Sequence, residues 1–306
     1  MMSRTSKDEH LAAVPVAHIS DPAAVQRLLE ALGRIHGPEY AFSAGRWDGP
    51  TVLRAASGQR VYRFIVEADG AAVQLRPRDL VRGMPPAGPY REDEAPFAVA
   101  ERAAQEALWP GDVVTLAGDE SLEVQGRAVF FEVAAALTEY RAPKVAFLRY
   151  LPDRPGGCAA YEGAFRREAL PPQRSEDAQD ARGANRVNEH TLDMRPDRTP
   201  LPQAHYHGIV PTGAGRYVNH SETAIVLPRS VYGLPDPGES QRVVLFRRPA
   251  EDPGDTYTLP VTPGTIVVTP ATDAGVVGHR FENAFAMLIA IPGFVSPAHR
   301  IEPGPA

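Results

Sequence analysis

Between residues 204 and 228 the chain reads AHYHGIVPTGAGRYVNHSETAIVLP. Three of its nine histidines, His205, His207 and His220, lie here, with Glu222 two residues beyond the last. Burying several imidazoles and a carboxylate without partners is costly. A divalent cation removes that cost, because it accepts lone pairs from neutral imidazoles and neutralises the carboxylate. The competing reading is a solvated hairpin whose histidines are incidental.

The turn signal Thr-Gly-Ala-Gly at 212–215 separates HYHGIVP from RYVNHSETAIVL, which predicts a β-hairpin. With the turn centred between Gly213 and Ala214, His207 faces His220 and His205 faces Glu222. Strand alternation puts 205 and 207 on one side, and 220 and 222 likewise, so the four residues converge on one patch.

The elements that must hold this patch are short. The 31 prolines and 26 glycines leave little room for long helices. One helix is expected in SDPAAVQRLLEALGRIHG, capped by Ser20 or Asp21, with Pro22 in its first turn and a stripe of Val25, Leu28, Leu29 and Leu32. A second is expected in PFAVAERAAQEAL from its alanine content. Strands are expected in QRVYRFIVEA, AAVQLRP, GDVVTLA, RAVFFEVA, TAIVLP, RVVLFRR, TYTLPV, GTIVVTP and FAMLIAIP, a pattern that predicts an all-β sandwich or barrel. Segment 166–186, RREALPPQRSEDAQDARGANR, is polar and reads as a linker. Residues 109–133 and 262–291 share one order: Pro-Gly, a strand, a variable turn, a second strand and a closing apolar strand.

Composition narrows the partners. Hydrophobic residues make up 43% and charged residues 23%, ordinary for a globular chain. A net charge of -6 argues against nucleic acid or an anionic membrane surface. Lys7 and Lys144 stand beside thirty arginines, which suit carboxylate-bearing ligands if the bias is not simply genomic. The single cysteine, Cys158, leaves no internal disulfide and fits a reducing compartment. No apolar run is long enough to span a membrane, and the first residues lack a signal-peptide core. The expectation is a cytoplasmic protein with a small-molecule substrate, and a homodimer is among the expected assemblies.

These motifs resemble the cupins. ETAIVLPR, residues 222–229, is similar to the strand that follows the family's His-x-His, with Arg229 in place of a glycine. Gly264, TIVVT and Pro270, followed by His279 and Asn283 in His-xxx-Asn spacing, resemble its second motif. The resemblance implies a double-stranded β-helix (jelly-roll) barrel, mainly β, with two in tandem. It implies His205, His207, Glu222 and His279 as metal ligands. The fourteen residues between His207 and Glu222 far exceed the family's gap, so His220 competes for a place in the set. His220-Ser221-Glu222 with His279 also looks like the His-x-acid…His triad of 2-oxoglutarate oxygenases, which use the same barrel.

The expected division is 1–50 as a helical extension, 51–165 as a degenerate cupin-like barrel, 166–186 as the linker and 187–306 as the metal-binding barrel. No histidine lies between 37 and 189, and Leu122-Glu123 falls where the second copy has His279. His190 reads as a pocket residue or a hydrogen-bonded structural histidine. Arg195, Arg198 and Arg216 are candidates to pair with an anionic substrate, and Asn283 to brace the second motif or reach the pocket. The favoured chemistry is a non-haem Fe(II) dioxygenase, an oxidoreductase, with Zn, Mn, Ni or Cu as other metals and 2-oxoglutarate as a less favoured cosubstrate. The alternatives are a redox-neutral isomerase, epimerase or lyase in which Glu222 or His220 moves protons, and a cupin that binds a small molecule without turnover.

Overall fold

The computed structural model describes residues 15–36, 40–83, 98–137, 142–151, 154–155, 164–170, 185–192, 205–206, 209–211, 217–219, 222–232, 242–247, 256–269, 277–282, 286–292 and 302–303. The chain is mainly β. It opens with β1 (Val16–His18) and α1 (Pro22–His36). The first half continues with β2 (Tyr40–Asp48), β3 (Thr51–Arg54), β4 (Gln59–Leu75), β5 (Leu80–Arg82), β6 (Ala98–Val99), β7 (Ala104–Ala107), β8 (Val113–Ala117), β9 (Ser121–Ala136) and β10 (Val145–Ala146). The second contains β11 (Arg154–Pro155), β12 (Ala164–Leu170), β13 (Asn185–Leu192), β14 (His205–Tyr206), β15 (Ile209–Pro211), β16 (Tyr217–Asn219), β17 (Glu222–Leu227) and β18 (Arg242–Arg247). It closes with β19 (Thr256–Pro260), β20 (Thr265–Thr269), β21 (Val277–Glu282), β22 (Ala286–Pro292) and β23 (Glu302–Pro303).

Helix α1 forms where its caps and stripe demand it. The Asp21 carboxylate accepts from the N–H groups of Ala23 and Ala24 at 3.1 and 3.0 Å, satisfying two donors that the first turn leaves open. Val25, Leu28 and Leu32 are buried along one face. The second expected helix is absent: within PFAVAERAAQEAL the chain makes β6 and β7, and β7 pairs with β4 from Ala72↔Ala107 to Leu75↔Ala104. Cross-strand pairing outweighs alanine's helical preference there.

The first half forms a nine-stranded sheet in the order β2-β9-β4-β8-β10-β5-β6, with β3 on β9 and β7 on β4. Two strands expected as separate, QRVYRFIVEA and AAVQLRP, are one 17-residue strand, β4. Register shifts between Ile65 and Glu67 and between Asp69 and Gly70 let it bend rather than stop. Val61 and Ile65 from one end of β4 share a buried cluster with Val73 and Leu75 from the other, so the sheet curls over its own core. Leu122, at the position matched to His279, belongs to that apolar cluster.

The opposite face of the same sheet carries Tyr62, Phe64, Phe131 and Val133. These pack with Leu28 and Leu32 of α1, Ile225 and Leu227 of β17, and Ile266 and Val268 of β20 in one cluster. The two halves therefore share a core.

The second half has a seven-stranded sheet, β1-β20-β17-β22-β13-β12-β11, and a five-stranded sheet, β19-β18-β21-β14-β23. Two expectations about boundaries need correcting. The presumed linker begins inside β12 and ends inside β13, which pair with one another; its residues 171–184 lie outside the described ones. The N-terminal extension is not separate either, because β1 pairs with β20 from Val16↔Val267 to His18↔Thr265. Ring nitrogens of His18 fix the strand against Pro263 O at 3.0 Å and the Ser20 hydroxyl at 2.7 Å.

The internal repeat is visible at one turn. Pro110-Gly111 and Pro263-Gly264 each place glycine at positive φ, +95° and +92°, a backbone that L side chains resist. The Trp109 N–H donates to the Asp112 carboxylate at 2.9 Å, and the Thr262 N–H to the Thr265 hydroxyl at 3.1 Å. Gly111 N–H then reaches Ile65 O, and Gly264 N–H reaches Val226 O, at 2.7 and 2.8 Å.

Candidate metal centre

Strand β17 is apolar on both sides except at its start. Ile225 and Leu227 point into the shared cluster. Alternation sends Glu222, Ala224 and Val226 the other way, into the second half. Strand β20 behaves alike: Ile266 and Val268 join the shared cluster, and Thr265, Val267 and Thr269 face with Glu222. The register pairs Glu222 with Thr269 and Ala224 with Val267. Glu222 is 4% exposed and Thr269 1%, so a carboxylate is held out of water beside a buried hydroxyl.

The five-stranded sheet supplies the imidazole positions. Strand β14 pairs with β21 so that His205 stands opposite His279, and Tyr206 opposite Gly278. Directly opposed residues of an antiparallel pair have Cβ atoms about 4.5–5.5 Å apart, close enough for both to reach one ion. Strand β20, which ends in Thr269, approaches β21, which carries His279. Glu222 and the two histidines thus come from different sheets of the same half.

This differs from the expected hairpin. Strands β15 and β16 do pair, but as Ile209↔Asn219, Val210↔Val218 and Pro211↔Tyr217. That is one residue off the expected register, and a one-residue slip reverses which faces meet. Pro211, with no N–H to offer a ladder, ends its strand there. Glu222 pairs with Thr269 instead of His205, and His205 pairs with His279 on one side and Pro303 on the other. His207 and His220 lie outside the described residues, as do Arg195, Arg198, Arg216 and Asn283. His190 sits in β13, opposite Arg166 on one side and Met287 on the other. Thr269 was missed; its signal was a hydroxyl ending the apolar run Ile266-Val267-Val268.

A divalent cation fits this donor chemistry. Two imidazole positions in direct register and a buried carboxylate suit an ion of borderline hardness. Among the described residues, no three His, Cys, Asp or Glu side chains gather as a complete set. Nor does any described helix have the length and apolar character to cross a membrane.

No model of a known protein family matches the sequence, and no curated protein does. Among solved structures, the chain is similar to a Lactobacillus farciminis oxalate decarboxylase in a formate complex, with 9% identity over 82% of this chain and 76% of that one, at a TM-score of 0.43. It is similar also to Bacillus subtilis oxalate decarboxylase in work on that enzyme's Mn(II) centres, with 12% identity over 94% and 73% and a TM-score of 0.44. The same enzyme at pH 4.6 gives 11% identity over 91% and 71%, with a TM-score of 0.43. These are decarboxylases, and one is described by its manganese. The expectation of Fe(II), of a dioxygenase or other oxidoreductase, and of 2-oxoglutarate is corrected on that finding.

Proposed function

We propose that the chain is a metal-dependent cupin enzyme of redox-neutral chemistry, a lyase or isomerase acting on a small carboxylate-bearing metabolite. The observation that supports it is the His205↔His279 register, with the buried Glu222 on the neighbouring sheet. In this reading His205, His207, Glu222 and His279 hold a divalent cation such as manganese or zinc. The bound ion supplies Lewis-acid polarisation of a substrate oxygen. His220, two residues before Glu222, moves a proton at the reacting carbon. Arg195 and Arg216 orient the substrate carboxylate through their planar forks. The first half acts as a scaffold: its core is filled by apolar side chains, and it shares the second cluster with β17 and β20.

The test is elemental analysis of wild type and His279→Ala after reconstitution with equimolar Mn(II) and Zn(II). Near-stoichiometric metal in wild type alone supports the reading. Anaerobic conversion of small hydroxy-, keto- and dicarboxylic acids, followed by NMR, then identifies the substrate. Equal metal in both proteins, or none in either, would sink it.

A further inference from the structure

We infer that Thr269 is the positioning residue for the Glu222 carboxylate, holding it in the orientation that accepts the metal; this rests on the metal-centre reading above. Thr269 ends β20 and stands directly opposite Glu222. Both face away from the shared cluster, and both are buried.

Strand β20 presents Thr265, Val267 and Thr269 on that face. The Thr265 hydroxyl is committed to the turn, where it accepts from the Thr262 N–H. Val267 stands opposite Ala224, with no polar group between them. A hydroxyl at 269 in a buried row would be costly unless it met a polar partner, and its cross-strand neighbour is a carboxylate. A threonine hydroxyl has one proton to donate and a carboxylate has four lone-pair sites. One bond from Thr269 to a single oxygen would orient the carboxylate and leave the remaining lone pairs for a cation. Carboxylates that bind metal are commonly held in this way by an outer hydrogen bond.

The test compares Thr269→Val, which keeps the shape and removes the hydroxyl, with Thr269→Ser, which keeps the hydroxyl. Mn(II) affinity is read by titration calorimetry and the ion's surroundings by EPR, with circular dichroism to confirm the fold. Thr269→Val is expected to weaken Mn(II) binding by about 10- to 100-fold and to change the EPR line shape; Thr269→Ser restores both. If the valine variant does not fold, Thr269→Ala against Thr269→Ser makes the same comparison. Unchanged affinity in the hydroxyl-free variant, or equal loss in the serine variant, overturns the inference and leaves the metal centre standing. Absence of Mn(II) binding by wild type overturns both.

Discussion

His205 and His279 stand opposite each other on adjacent antiparallel strands, although the whole of β15 to β20 lies between them in the chain. The two-residue β14 is paired with β21 on one side and with β23 on the other. In the proposed reading an ion held by the histidine pair ties it further in place.

Loss of either imidazole should therefore act on the same quantity. His205→Ala and His279→Ala are each expected to lower metal content by at least about 10-fold, since a zinc- or manganese-type site depends on each of its few protein ligands. The double variant should be no worse than the worse single one, as for groups that act as a unit. Elemental analysis after dialysis against a weak chelator reads this directly.

His220 separates ligation from proton transfer. In the proposed reading, His220→Ala keeps near-stoichiometric metal and loses turnover. A fall in metal content comparable to that of His279→Ala would place His220 among the ligands.

Two buried groups make opposite contributions to the pH dependence of stability. Burial against Tyr40 and Phe42 lowers the pKa of His36 from 6.5 to about 4, despite its place at the C-terminal end of α1, where a cation is favoured. The unfolded chain takes up this proton first as pH falls, so stability is lost between about 6.5 and 4. Burial raises Asp112 from 3.8 to about 7, outweighing the N–H groups of Trp109 and Leu148 and the charge of Arg149. Here the folded state keeps its proton longer, so stability is lost as pH rises from about 4 to 7. The windows overlap and the slopes oppose. His36→Phe should uncover a decline in urea midpoint with rising pH, and Asp112→Asn a decline with falling pH, each steeper than in wild type.

The shared cluster should make the halves unfold together. Phe131 is fully buried and stacks on Phe64 at 6.2 Å within it. Phe131→Ala is expected to cost about 3–5 kcal/mol. Hydrogen exchange should then report lost protection in β17 and β20 as well as in β4 and β9. Loss confined to the first half would show that the cluster does not couple them.

What the sequence disclosed depended on how local the cause was. Asp21, Pro22 and the stripe through Leu32 act within one helix, so α1 was legible almost to the residue. The Pro-Gly repeat was legible too, because each turn is set by four consecutive residues. The second helix failed because pairing with β4, a long-range contact, outweighs the local helical preference of its alanines. The hairpin failed by one position: no local signal distinguishes a register that pairs Ile209 with Asn219 from one that pairs it with Val218. Glu222 was identifiable as a buried carboxylate opening a strand. Its neighbour Thr269 and the opposition of His205 to His279 are products of long-range register, which no single stretch of sequence encodes.

Strand β1 meets its partner across nearly the whole chain, with Val16 beside Val267. At about 5–20 residues per second of synthesis, the first strand leaves the ribosome on the order of ten to fifty seconds before the residues it must join. Strand β1, whose only neighbour among the described strands of the seven-stranded sheet is β20, thus waits unpaired until β20 has been made. Contacts this distant slow the search for the native state. A circular permutant opened between α1 and β2, in which β1 follows β23 and lies far nearer to β20 along the chain, should shorten that search while leaving the finished architecture unchanged.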